Sequence, residues 1–331
     1  MRRYRSKRNY GYGRRLDYAG KRVLRDRYGG GHYATVYDGH VPRWMHFARW
    51  CIRIGIKDMR RITEEIVVSY IVCCAANGDA VSTLHNRVST INVVLGHASR
   101  GRWKRLSPTR IVGRRRCHIR ETIPSSLDDG KVWRAVKLLC EAELERVAAV
   151  LLLCRYFGLR VREAVLADLE RWRREAERFG RVNVLDGTKG GRKADRWIHM
   201  SKERWVVLRF AISVKPEGSR RLIAPDERYE DWRHRLLPKG REVLKSCGIK
   251  DYRDHRAAYA CERYSEEADA DAPVVAGGRV ADRSKHRAAS GQVAYEMGHS
   301  RNRTDVLGHY YGTGRAKRHE SGRERDQDTT R

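Results

Sequence analysis

The sequence predicts a mainly α-helical protein of two domains, with one small β-hairpin in the second. Three observations carry this. Apolar residues recur at three- and four-residue steps through most of the chain, the period of a helix face. Residues 182–200 alone change character: Val182-Asn-Val-Leu and Arg196-Trp-Ile-His-Met flank a Gly/Lys-rich centre, the pattern of two short strands and a connecting loop. The chain has 331 residues, 40% of them hydrophobic, with 8 Trp and 16 Tyr, which is material for packed cores at a length typical of two domains. That content also argues against wholesale disorder, despite 71 Lys+Arg against 41 Asp+Glu. The net charge of +30 favours a polyanionic partner, and nucleic acid is the commonest.

Residues 1–40 read as a basic flexible arm. The first 30 hold 11 Lys/Arg against 2 Asp, with no sustained apolar period. Such an arm is either a solvated tail or a phosphate contact with Tyr available for stacking. Residues 41–100 read as a small helical domain. Trp44, Phe47, Ala48, Cys51 and Ile54 share one helix face. Thr63 caps a second helix with Glu64 and Glu65 in its first turn, and Ser82 caps a third that carries Leu84, Val88, Ile91 and Leu95. Residues 101–124 read as an exposed interdomain linker, since 101–120 contain eight Lys/Arg and no acid. Arg102, Lys104, Arg105, Arg110, Arg114, Arg115 and Arg116 are its expected contacts to DNA phosphates.

A second domain is expected over 125–315. Val132, Val136 and Leu139 form one helix face. The run to Phe157 is apolar nearly all round, hence buried, and Gly158 ends it. Further helices fall around 202–213, 229–246 and 254–265. Residues 266–290 read as a surface insertion, and 316–331 as a tail. The longest apolar stretch, Val147–Cys154, is too short to span a bilayer. The eight cysteines form no CxxC and read as reduced core thiols of a cytoplasmic protein.

Four segments carry candidate chemistry. They are Phe157-Gly-Leu-Arg160-Val-Arg-Glu163, Gly187-Thr-Lys189-Gly-Gly, Tyr252-Arg253-Asp-His255-Arg256-Ala-Ala-Tyr, and Met297-Gly-His299-Ser300 followed by His309-Tyr310-Tyr311-Gly312. Any one of them is commonplace: a capping Arg, a solvated hairpin Lys, a helix-end His or a packing Tyr. All four in this order resemble the tyrosine recombinases, or phage-type integrases, over about Trp44 to Gly312. The resemblance implies a helical SAM-like core-binding domain (41–100) ahead of a tyrosine-recombinase catalytic domain (125–315), closing as a C-shaped clamp on double-stranded DNA. It implies a site-specific recombinase or integrase of a mobile genetic element, active as a homotetramer on paired sites. Accessory DNA-bending proteins, a location on the nucleoid and no membrane partner go with it. Matched residue by residue, Arg160 and Arg256 are the two catalytic arginines. Lys189 is the hairpin lysine, His299 the histidine of the Gly-His segment, and Tyr310 the nucleophile.

The residue types suit that chemistry. Attack on a phosphodiester builds negative charge on non-bridging oxygens, and arginine forks are permanent, planar donors for it. A Tyr hydroxyl can hold the broken strand covalently as a 3′-phosphotyrosyl link. Lys189 can protonate the leaving 5′ oxygen. Two arginines and a lysine leave no charge for a metal ion to supply, so neither metal nor cofactor is expected. Two departures stand out. Arg253 occupies the place where the family usually has His, and it cannot act as a base at neutral pH. His255 lies about 100° round the helix from Arg256, a poor substitute. The step from His299 to Tyr310 is also slightly long, so Tyr310 and Tyr311 compete, and Gly312 after Tyr311 favours Tyr310. A DNA-binding protein with a decayed recombinase site is the alternative.

Overall fold

The computed structural model describes residues 7–29, 34–188 and 194–313. The chain divides between Cys117 and His118 into two compact units. Both are helical, and the one sheet among the described residues is a two-stranded antiparallel pair in the second unit.

The first unit contains α1 (Leu16–Tyr28), α2 (Val41–Arg53), α3 (Glu64–Ala76), α4 (Val81–Ala98) and α5 (Pro108–Val112). Trp44, Phe47, Ala48 and Cys51 on α2 are buried, as their spacing requires, while Ile54 remains exposed. Burying a side chain as large as Phe47 contributes roughly 1.5–3 kcal/mol. Thr63 takes the N-cap position of α3, but α4 starts from Ala80 rather than Ser82.

Two boundaries expected from sequence are corrected. The described part of 1–40 is not a flexible arm. Leu16, Ala19, Val23 and Leu24 of α1 are buried against α2 and α4, and the Trp44 indole N–H donates to the Leu16 carbonyl at 3.2 Å. Upstream, the buried Asn9 binds Asp58 and Met59. These few apolar positions were hidden among Arg, Lys and Tyr that occupy the outer face of α1. Nor is 101–117 a free linker. Leu106 is buried, and its N–H and C=O both bond the Asn92 side chain, which also accepts from the Trp103 indole. Trp103 and Leu106 thus anchor the basic run, whose Arg and Lys side chains stay outside.

The second unit runs through α6 (Asp129–Glu141), α7 (Glu145–Tyr156), α8 (Val161–Leu166) and α9 (Leu169–Phe179). Strands β1 (Arg181–Asn183) and β2 (Trp197–His199) follow, pairing Val182 with Ile198. Then come α10 (Lys202–Ser213), α11 (Tyr229–Asp231), α12 (Leu237–Ser246), α13 (Tyr252–Ala268), α14 (Pro273–Ala276), α15 (Arg283–Glu296) and α16 (Gly308–Tyr311). Helix α7 is the central element, buried from Val147 to Arg155. Its one cation in that stretch, Arg155, bonds Glu262, Asp129 and the Ser126 carbonyl.

Residues 118–124, expected in the linker, are tied to this unit through Arg120, beside Ser125 and Ser126. Buried Asp254 on α13 accepts from Arg120, the Ser125 hydroxyl and the Ser126 N–H. The expected surface insertion at 266–290 is also corrected. It holds α14 and the start of α15, with Ala272, Ala289 and Ser290 buried. The tail at 316–331 lies outside the described residues. Among the described residues, no helix is long and apolar enough to cross a membrane.

His255, on α13, is fully buried, and neither ring nitrogen has a partner among the described residues. Burial is the main cause that lowers its pKa to about 3, with Asp254 pulling the other way. Between that value and the unfolded value near 6.5, the unfolded chain binds more protons, so stability falls as pH falls. The second unit is therefore expected to melt at lower temperature at about pH 5 than at about pH 7, and His255→Leu to flatten that drop. An equally steep drop of Tm in the variant would show that His255 is not its source.

Candidate active site

The candidate residues arrive from the ends of four elements. Helix α7 stops at Gly158, which has φ +60°. A Cβ there would lie 2.4 Å from the Tyr259 ring, so only glycine fits this turn. Two residues later Arg160 takes the N-cap position of α8, where Glu163 reaches back and accepts its backbone N–H at 2.8 Å. Half of a capping box is thus built from an Arg-x-x-Glu sequence. The same carboxylate accepts from Arg160 Nη1 at 2.6 Å.

Arg256 projects from the start of α13, itself capped by the Asp251 side chain. Its guanidinium donates to the carbonyls of Gly158 and Met297, and its Nη1 lies 3.8 Å from Glu163. Helix α15 ends at Met297 and Gly298, the latter with φ +72°. The Met297 carbonyl also accepts from Arg160 Nη2 at 3.5 Å. Two helix C-termini therefore aim carbonyl groups at two guanidinium groups, a favourable pairing of dipole and charge.

Tyr310, on α16, meets this cluster directly. Its hydroxyl oxygen accepts from Arg256 Nε at 3.3 Å, and the Arg256 guanidinium sits 5.4 Å from its ring centre. Burial opposes ionisation of the phenol, yet Arg256 and then Arg160 outweigh it, and the pKa lies below the ordinary tyrosine value. His299 stands beside it, with ring centres 6.4 Å apart. Burial and then Arg160, Arg256 and Arg196 lower its pKa to about 4, so it is neutral at pH 7. Its Nε2 has no partner among the described residues.

Arg160, Arg256, His299 and Tyr310 are therefore brought together, whereas Tyr311 and His255 turn away from them. Tyr311 turns into the core: its hydroxyl donates to Ser290 at 2.8 Å, and its ring packs on Tyr264. Burial raises its pKa. His255 faces the core. Arg253 is on the rim of the same cleft, 87% exposed and paired with Asp251 at 3.0 Å. Lys189 lies outside the described residues, although its neighbours Thr188 and Ala194 line the cleft, which has a volume of about 780 Å³.

One residue that sequence reasoning missed belongs to this cluster. Arg196, just before β2, is 4% exposed and donates to Glu163 at 3.1 Å. A legible signal existed: Arg196 continues the β2 ladder by one residue through its carbonyl, which accepts from Val184, and it is two from the buried Ile198, so the two share the inward face. With Arg160, Arg196 and Arg256 around one carboxylate, three positive charges meet one negative, a surplus of two. Burial acts to raise the Glu163 pKa, but Arg196, Arg256 and Arg160 win and hold it at about 2. A surplus of buried positive charge is unfavourable unless an anion completes it.

In the first unit, Arg102, Lys104, Arg105, Arg110, Arg114, Arg115 and Arg116 are all exposed. Arg110 pairs with Glu64 at 2.5 Å, and Arg116 reaches Asn86 at 3.4 Å.

A search of curated proteins gives no match. Among solved structures, one titled "Crystal structure of XerA recombinase" is 13% identical, covering 88% of this chain and 93% of that one. Its TM-score of 0.35 is too low to support an argument. A protein-family model described as Integrase matches residues 129–262, the stretch that includes Arg160, Glu163, Arg196 and Arg256. That segment, and not the whole chain, is what resembles the integrases.

Proposed function

We propose that this protein is a site-specific recombinase that cuts and rejoins DNA through a covalent bond from Tyr310 to a 3′ phosphate. The observation that carries the reading is the Tyr310 hydroxyl, 3.3 Å from Arg256 Nε in a cleft with a two-charge positive surplus. A phosphodiester is the anion that such a cleft suits. In the proposed step the Tyr310 oxygen forms a bond to phosphorus as the bond to the 5′ oxygen breaks. The phenolic proton passes to water in the cleft, a transfer eased by the arginines that lower its pKa. Lys189 gives its proton to the departing 5′ oxygen. Arg160 and Arg256 stabilise charge on the non-bridging oxygens, and neutral His299 donates a hydrogen bond there. Phosphate-bond energy is kept in the tyrosyl ester, so resealing needs no nucleotide.

The first unit acts as the core-binding domain, with Arg102, Lys104, Arg105, Arg110 and Arg114–Arg116 as its phosphate contacts. A homotetramer on paired sites, helped by accessory DNA-bending proteins, is part of the proposal by family analogy alone. So is its place on the nucleoid.

A nicked suicide duplex carrying the protein's own site should trap an adduct on a denaturing gel. Tyr310→Phe is expected to abolish the adduct and Tyr311→Phe to retain it. An adduct lost only in Tyr311→Phe would reverse the assignment. No adduct from unaltered protein bound to a verified site would leave a DNA-binding protein with a decayed site.

The Lys189 role has its own test. A 5′-bridging phosphorothiolate, whose sulfur leaves without a proton, should restore cleavage by Lys189→Ala but not by Tyr310→Phe. Absence of that recovery would remove Lys189 as the acid.

Affinity for duplex DNA should fall steeply between about 50 and 200 mM salt. Replacing Arg114, Arg115 and Arg116 by Ala should shallow the slope of log K against log salt by up to about 0.9 for each DNA phosphate that is no longer neutralised. A slope unchanged in the triple variant would place the phosphate-binding cations elsewhere.

A further inference from the structure

We propose that Arg196 is a positioning residue for strand transfer: it occupies Glu163 Oε2 and so leaves Arg256 free to hold Tyr310 and the phosphate. The inference rests on the recombinase reading above.

Glu163 is a carboxylate with two oxygens and more than two suitors. Oε1 takes Arg160 Nη1 at 2.6 Å. Oε2 takes the Arg160 backbone N–H at 2.8 Å and Arg196 Nη1 at 3.1 Å. Arg256 Nη1 waits at 3.8 Å from the same oxygen, beyond hydrogen-bond distance. Arg196 and Arg256 thus compete for one acceptor, and Arg196 holds it. Arg256 spends its Nη1 and Nη2 on the Gly158 and Met297 carbonyls, and its Nε on Tyr310. With Arg196 absent, the vacated oxygen would draw Arg256 towards it and off the nucleophile.

The fold keeps Arg196 in place at visible cost. Its backbone N–H donates to the Asn183 side chain at 2.8 Å, and its carbonyl accepts from Val184 at 2.9 Å, so the main chain is pinned on both sides. Its Nε and Nη2 are buried without partners among the described residues, an arrangement that lowers stability. Gly298 makes the room: a Cβ at that position would lie 2.8 Å from Arg196 Nη1 and 3.3 Å from Arg160 Nη1. Arg196 also supplies one of the three charges over Glu163, so removing it halves the positive surplus from two to one. Both effects bear on the reacting phosphate rather than on grip of the duplex.

The test uses the full-length protein, Arg196→Met and Arg196→Lys, and two suicide duplexes. One has a normal scissile phosphate. The other has a methylphosphonate there, which lacks one non-bridging oxygen and its charge. Adduct formation is followed at saturating protein, with duplex affinity and Tm measured in parallel. Arg196→Met should form adduct about 10²–10³-fold more slowly on the normal duplex, the scale of removing one preorganised electrostatic donor. Its affinity should change by less than about twofold, because every cation that grips the duplex remains in place. The methylphosphonate should recover at least about tenfold of the loss, since less charge then has to be stabilised. Arg196→Lys keeps the charge but not the fork, and should fall between. If the Met variant fails to fold, the Lys variant decides by the same measurements. Adduct formation at the unaltered rate by a folded variant overturns the proposal. So does a slow variant whose defect is equal on both duplexes, which would mark a purely structural role. No adduct from unaltered protein overturns the recombinase reading and this inference with it, and that outcome involves no variant.

Discussion

The ionised carboxylate of Glu163, buried among guanidinium groups, is the constraint on which the second unit turns. A lone carboxylate in that position would be strongly disfavoured by desolvation. Three arginines reverse the balance and hold it ionised, and in return it fixes the direction of Arg160 and Arg196. The surrounding fold can be understood as the means of delivering these groups to one point. Helix α7 must end at Gly158 to present Arg160. Helix α13 must begin at Asp251 to present Arg256. Helix α15 must end at Gly298 to aim the Met297 carbonyl. Charge and backbone then hold one another, because Arg160 and Arg256 each also take a helix-end carbonyl. The residual imbalance, two positive charges in excess of Glu163 among the described residues, is the property that would suit an anion.

The first unit solves a different problem with the same residue types. Most of its arginines and lysines lie outside a core built on α1, α2, α3 and α4, exposed or paired with single acids such as Glu64; Arg87, bonded to Tyr70 and Asp79, is largely buried. Exposed cations of this kind add little to stability, but they add to long-range attraction for a polyanion and carry no sequence code. The net charge of +30 therefore has two components that differ in chemistry. Many cations are hydrated and interchangeable. A few are buried, directional and paired with specific acceptors.

Much of this was legible in the sequence, and the failures have physical causes. The apolar run Val147–Cys154 marked the buried helix because no face of it is polar. Gly158, Arg160 and Glu163 marked its end because caps obey local rules. The hairpin strands were legible from their change of period, with β1 and β2 at the two ends of the expected span. Helix α1 was not, because a helix in a basic unit needs few apolar residues when only one narrow stripe is buried. Leu16, Ala19, Val23 and Leu24 make that stripe, but seen along the chain they are outnumbered by Arg, Lys, Asp and Tyr. Arg196 was missed for a related reason. In a segment crowded with Lys and Arg, nothing in composition separates a buried cation from solvated ones. Its inward register with Ile198 does, but the register follows only once the strand pairing is fixed.

Arg253 stands where the resemblance to tyrosine recombinases leads one to expect a histidine. An i, i+3 relation puts Arg253 on the same side of α13 as Arg256. Yet its guanidinium lies against Asp251, the cap of its own helix, and stands in solvent. The Arg253 charge therefore lies on the rim of the cleft and outside the buried cluster. Inside, the imidazole beside the arginines is His299, and they keep it uncharged. A neutral ring adds no third positive charge to the surplus of two, and it is free to offer a hydrogen bond. On the proposed chemistry, ionisation of the nucleophile then depends on the arginines that lower the Tyr310 pKa rather than on a base at 253. The same guanidinium groups would serve twice, first by easing loss of the phenolic proton and then by stabilising charge at phosphorus. On that proposal Arg256 is kept for the reacting groups because Arg196 holds the shared Glu163 oxygen at 3.1 Å while Arg256 stays at 3.8 Å.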